Sequence, residues 1–218
     1  MQKQYLPDAT LSFDLDITPD NPTITDGYDY VSLLECMDYI VPMAYDMTGR
    51  QVAANAPLPT IMDGVQRQYK ALGIVASKLV VALPWYAYSF LCSATGISTN
   101  CSLPVGAKHD TKIWEQSYTQ LGYGEVLDLH AVVGAPTITY DRTAVYKWFP
   151  YVNKTTHKRF RVSFDDPETL LVKYKELLNA GVAGVGAWTI AATQRQAQAT
   201  TAAASRAMWS AVTQALQY

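Results

Sequence analysis

Apolar and polar positions along this chain follow two different periods. In residues 10–17, Leu11, Phe13, Leu15 and Ile17 alternate with polar neighbours, which predicts a β-strand. The turn-forming run Thr18-Pro19-Asp20-Asn21-Pro22 ends it. Residues 29–35 predict a short helix. Residues 37–47, M-D-Y-I-V-P-M-A-Y-D-M, read as a central strand whose Ile40, Val41 and Met43 suit burial on both faces of a parallel sheet. Residues 57–73 carry Ile61, Val65, Tyr69 and Leu72 at helical spacing, with Gly73 as the stop. Residues 78–85, K-L-V-V-A-L-P-W, form another continuous apolar run, with Pro84 near its end where a missing N–H does no harm. Strand, helix, strand, helix, strand is the alternation of a parallel α/β sheet.

That alternation stops between Phe90 and Asp166. A helix is predicted over 111–121, and two strands over 143–149 and 158–164. These strands flank Asn153-Lys154-Thr155-Thr156 and read as an antiparallel hairpin, part of an insertion after the third strand. Long insertions belong on functional faces. The alternation resumes at Asp166-Pro167-Glu168, a helix start with proline near the first position. Leu170, Leu171, Tyr174, Leu177 and Leu178 form that helix's apolar face. Residues 183–188, A-G-V-G-A-W, predict a fourth parallel strand. A closing helix over 202–216 places Met208, Val212 and Leu216 on one side.

Composition narrows the partners. The chain has 218 residues, 49% hydrophobic and 17% charged, enough for one sizeable core. A net charge of -2 gives no basic field, which argues against nucleic acid and anionic membranes as partners. No run is long and apolar enough to span a bilayer, and residues 1–8 lack the apolar core of a secretory leader. His109, His130 and His157 are scattered, so no metal centre and no cofactor are expected. Cys92 and Cys101 flank a polar loop and suit a disulfide, which points to an oxidising compartment. Cys36 is expected to be a buried thiol. Asn100-Cys101-Ser102 and Asn153-Lys154-Thr155 are glycosylation sequons in loop-like stretches, consistent with secretion.

Candidate chemistry gathers at strand ends. Tyr45 and Asp46 close the central strand, and catalysis in α/β barrels is built at that end. They equally fit a half-buried aromatic and a turn cap. Trp85, Tyr86 and Tyr88 stand at the end of the third strand. Fifteen tyrosines and five tryptophans supply flat apolar faces with polar tips, which suit sugar rings as well as cores. Asp14 and Asp16, two apart on the first strand, point the same way, as acid/base pairs and solvated sheet edges both do.

M-D-Y-I-V-P-M-A-Y-D-M, K-L-V-V-A-L-P-W-Y-A-Y and G-V-G-A-W resemble, in this order, strands six, seven and eight of the family 18 glycoside hydrolases. A-N-A-P at 54–57, the spacing of Cys92 and Cys101, and V-S-F-D-D-P at 162–167 are similar to the chitobiase branch of that family. S-F-D-L-D-I-T-P-D-N takes the place of strand five.

The resemblance implies the C-terminal half of a (β/α)8 barrel. Strands five to seven would lie in residues 1–90, an α+β insertion in 91–163, and helix seven, strand eight and a closing helix in 164–218. It also implies retaining, substrate-assisted hydrolysis of β-1,4-linked N-acetylglucosamine, in chitooligosaccharide or the chitobiose core of N-glycans, in a lysosomal or secreted setting. Tyr45 resembles the tyrosine that bonds the acetamido group, and Asp46 the aspartate beside it. Met43 resembles the methionine packed beneath that subsite, and Trp188 the tryptophan of its floor. Trp85 and Tyr86 would line the wall, and Tyr140 and Asp165 the insertion side. The family's D-x-x-D-x-D-x-E motif, which ends in the acid/base glutamate, is absent. A missing N-terminal half-barrel is therefore an implied partner, and an inactive glycan-binding protein or a truncated fragment is the alternative.

Overall fold

The computed structural model describes residues 9–19, 29–93, 101–193 and 199–217. The first layer is a parallel sheet of β1 (Ser12–Asp16), β2 (Tyr39–Met43), β3 (Val80–Pro84) and β9 (Gly184–Trp188), in that spatial order. The register pairs Asp16 with Met43, Met43 with Ala82, and Pro84 with Trp188. Side chains alternate across a strand. Leu15, Ile17, Ile40, Val81 and Leu83 therefore point into a core beneath the helices, all less than a tenth exposed. Asp14, Val41, Met43, Ala82, Gly186 and Trp188 share the opposite face.

That opposite face corrects one expectation. Val41 and Met43 are half-buried rather than fully enclosed. Cys36 is a second correction. It ends α1 (Tyr30–Cys36) and is an exposed free thiol.

A rod of α2 (Leu58–Asp63), a π-helical turn (Gly64–Gln68) and α3 (Tyr69–Ala71) buries Ile61, Val65 and Tyr69 on the sheet. Gly73, at a φ of 78°, stops it. Gly64 lies so close to β1 that a Cβ there would stand 2.3 Å from the Ile17 carbonyl oxygen.

The second layer is a five-stranded antiparallel sheet. Its strands are β4 (Tyr86–Leu91), β5 (Tyr118–Gly122), β6 (Thr139–Asp141), β7 (Tyr146–Val152) and β8 (Arg159–Phe164), in the order β5-β4-β8-β7-β6. The expected hairpin is present as β7 and β8. The expected helix over 111–121 is not. α4 (Thr111–Glu115) ends early, and the chain enters β5 to pair with β4. An unexpected helix, α5 (Tyr123–Val132), then packs Tyr123 and Val126 into the core.

The Cys92–Cys101 disulfide forms, with an S–S distance of 2.04 Å. Asn100 lies outside the described residues. Asn153 sits at the tip of the β7–β8 hairpin, where its Oδ1 accepts from the backbone N–H of Thr155 and Thr156 at 3.0 and 2.9 Å.

Asp166 caps α6 (Pro167–Asn179) by accepting from the Thr169 N–H at 3.0 Å. Leu170, Tyr174 and Leu177 of α6 are fully buried. The closing helix α7 (Ala199–Leu216) buries Ala204, Met208, Ala211 and Ala215, whereas Leu216, expected on that line, is 62% exposed at its last position. No helix among the described residues is long and apolar enough to cross a membrane. No described cluster of His, Cys, Asp and Glu has metal-holding geometry.

Candidate active site

The site assembles at the C-terminal ends of the parallel strands, where β3 runs into β4. β2 carries Met43 half-buried on the open face, and the chain continues through Ala44, whose N–H bonds the Ala82 carbonyl at 3.0 Å. Tyr45 follows on the same face as Met43. Its ring stacks on Trp188 from the end of β9, with centroids 6.0 Å apart and planes 18° from parallel. Trp188 is 53% exposed, an uncommon position for so large an apolar ring and the natural form of a platform.

Asp46 turns out of the strand at a φ of 60°, a left-handed conformation that aspartate tolerates better than most residues. This turn aims its carboxylate at β4. Tyr86 and Tyr88, two apart on β4 and so on one face, both donate their hydroxyls to Asp46 Oδ1, Tyr88 at 2.5 Å. Gln120 on β5 donates to the Tyr88 hydroxyl at 3.3 Å. Tyr86 touches Tyr45 edge-on at 6.3 Å, so the rings run without a break from Trp188 to Tyr88.

Electrostatics keep these hydroxyls protonated. Burial, followed by the bond to Asp46, pushes Tyr86 and Tyr88 far above the ordinary tyrosine range. Tyr45 is raised by burial first, then by the fields of Asp14 and Asp46. The group is thus a set of permanent O–H donors around a carboxylate. Beside it opens a pocket of about 210 Å³ whose lining includes Asp46, Tyr86, Gln120, Gly122, Trp188 and Thr189. A larger cavity of about 390 Å³ lies between Gln51 and Lys108 and shares none of these residues.

The structure therefore brings Met43, Tyr45, Asp46, Tyr86 and Trp188 to one place and leaves three other candidates out. Trp85 is 1% exposed and lines no wall. One residue of strand parity turns it to the core, where its Nε1 donates to the Tyr174 hydroxyl at 3.0 Å and its ring meets Trp209 edge-on. Asp165 is 4% exposed and pairs with fully buried Lys173 at 2.6 Å, a contact inside the fold. Tyr140 stands on β6 at the far edge of the antiparallel sheet, under Arg142 and Lys147. Asn55 and Gln120 were not among the expected site residues, and Tyr88 was expected only as a strand-end aromatic without a site role. Tyr88 was recoverable from the 86/88 alternation, whereas Gln120 was hidden in a stretch with helical spacing.

A parallel α/β sheet here carries an exposed tryptophan and a hydrogen-bonded carboxylate at its strand ends, the end at which parallel α/β barrels build their sites. The chain belongs to the glycosyl hydrolases family 18, whose model matches residues 4–192. Mouse (Mus musculus) di-N-acetylchitobiase is 24% identical over 192 residues, which are 85% of this chain and 51% of that protein. The chain spans about half the length of the curated relatives it matches. Among solved structures, the chitinase from Chromobacterium violaceum superposes with a TM-score of 0.67 at 18% identity, covering 95% of this chain and 55% of that one. A class V chitinase variant from Nicotiana tobaccum, in complex with NAG4, gives 0.67 at 21% identity, with 95% and 59% covered. These likenesses show a TIM-barrel-like α/β fold.

Proposed function

We propose that this chain is the C-terminal half of a (β/α)8 barrel, with β1, β2, β3 and β9 as strands five to eight. The antiparallel layer is then the insertion between strands seven and eight. The divisions at 1–90, 91–163 and 164–218 follow this plan, with the strand β4 already leaving the barrel at Tyr86. Adjacent, parallel β3 and β9 support it, because a whole sheet intervenes between them in sequence.

The activity that fits is substrate-assisted, retaining cleavage of β-1,4-linked N-acetylglucosamine, in chitooligosaccharide or the chitobiose core of N-glycans. The observation carrying this reading is the Tyr45–Trp188 stack with Asp46 beside it. Trp188 is the floor for the sugar's apolar face, and Met43 packs beneath. Tyr45 donates to the acetamido oxygen as charge develops there. Asp46, with Tyr86 as wall, accepts from the sugar. No cofactor enters this chemistry.

The acid must come from outside this chain. Its five glutamates, Glu35, Glu115, Glu125, Glu168 and Glu176, all lie on helices, whereas the platform stands at strand ends. The same observation favours the second reading, a protein that binds chitin-type glycans without cleaving them. The disulfide supports a secreted or lysosomal setting, and Asn153 at a hairpin tip suits a glycan.

Purified chain, residues 1–218, tests both readings. Chitotetraose should bind with quenching of Trp188 fluorescence, and a chromogenic chitobioside should not turn over, since a general acid is worth about 10²–10⁴-fold. Turnover by this polypeptide would sink the missing-acid reading. Absence of binding would sink the platform.

A further inference from the structure

The site straddles two sheets. Asp46 is carried by the exit of β2, but both hydroxyls that bond it come from β4, and β2 and β4 are neighbours in neither sheet. The β2–β3 ladder reaches only Met43 and Ala82, so no ladder bond joins the Asp46 turn to β4 itself. One buried side chain does. Asn55 is 2% exposed, and its Oδ1 accepts the Asp46 N–H at 2.6 Å. Its Nδ2 donates to the Tyr86 carbonyl at 3.3 Å, and its own carbonyl accepts the Met47 N–H at 3.0 Å.

We propose that Asn55 is the positioning residue of this site, the clamp that holds the Asp46 carboxylate under the hydroxyls of Tyr86 and Tyr88. It touches no ligand itself and acts through Asp46. The geometry demands an acceptor and a donor on one small planar group, which a side-chain amide supplies and a carboxylate or methyl does not. The clamp also holds Asp46 in its left-handed conformation, at a φ of 60°. With both tyrosines on Oδ1, the second oxygen, Oδ2, is left for the pocket. Ligand binding by that oxygen rests on the functional reading above, but the clamp itself does not.

Proton NMR of the full chain separates the two. Hydroxyl protons donated to a carboxylate resonate downfield and exchange slowly, and Tyr86→Phe and Tyr88→Phe assign them. In Asn55→Asp, which keeps the shape but loses the donor and adds a like charge, both resonances should move toward water. In Asn55→Ala they should vanish, with chitotetraose binding weakened about tenfold or more, as for loss of a hydrogen bond that orients a charged group. The indole N–H resonance of buried Trp85, bonded to Tyr174, should stay put in both variants. Hydroxyl signals that persist unchanged in a folded Asn55→Asp protein, or that are absent from the unmodified chain, would overturn the clamp. Signals that depend on Asn55 in a chain that binds no chitotetraose would uphold the clamp and refute the sugar reading.

Discussion

At the scale of the residue, Tyr45 and Trp188 touch each other but should contribute to different steps. The Tyr45 hydroxyl is held protonated by burial and by the fields of Asp14 and Asp46, so it is a donor across the working pH range. A donor aimed at an oxygen that gains charge is worth more in the transition state than in the ground state. In an active, completed barrel, Tyr45→Phe should lower kcat about 10²–10³-fold, or roughly 3–4 kcal/mol, with KM nearly unchanged. Trp188→Ala removes the platform and should raise KM as well. Wild-type turnover in Tyr45→Phe would undo the assignments of Met43, Tyr45 and Asp46 together, since they share one register. These residues were legible in the sequence because they end apolar runs. Trp85 misled because the same signal does not tell which face a strand-end residue takes, and Pro84 and Trp85 point opposite ways.

Among the elements, the rod on β1 shows what periodicity reveals and what it hides. Ile61, Val65 and Tyr69 fall at helical spacing, and all three are buried. The spacing gives no hint of the π-helical turn at Gly64–Gln68, which arises where the helix meets β1. With the Ile17 carbonyl 2.3 Å from where a Cβ would stand, Gly64→Ala must push backbone against backbone. It should destabilise the fold by about 1–3 kcal/mol, as overpacking does, and lower the melting temperature by about 2–4 °C per kcal/mol. An unchanged melting curve would show that the rod slides freely on the sheet. The stretch 111–121 failed for the opposite reason. Trp114, Tyr118 and Leu121 stand at i, i+4 and i+7, a helical pattern, yet pairing of Tyr118–Gly122 with β4 overrides it. The wall carrying Gln120 was hidden with it.

Over the whole molecule, tyrosine hydroxyls tie the two layers together and make stability depend on alkaline pH. Tyr69 donates to the Asp16 carbonyl at 2.6 Å beneath the parallel sheet, and Tyr174 accepts from Trp85 under α6. Tyr86 and Tyr88 cross from the antiparallel sheet to Asp46. Burial is the first cause of a raised pKa in all four, and it lifts Tyr123 to about 12. An unfolded tyrosine ionises near pH 10, so between there and the folded value the unfolded chain loses protons that the native chain keeps. The resulting stabilisation is fully present below about pH 10, declines as pH rises above it, and is lost once pH has passed the folded values, the share of Tyr123 by about pH 12. Melting temperature should therefore hold to about pH 10 and then fall steeply. The buried tyrosines should ionise together with unfolding, as one sharp rise in tyrosinate absorbance after the exposed ones have titrated. A smooth titration of all fifteen tyrosines around pH 10, with the native circular dichroism intact, would show that these hydroxyls are not held by the fold.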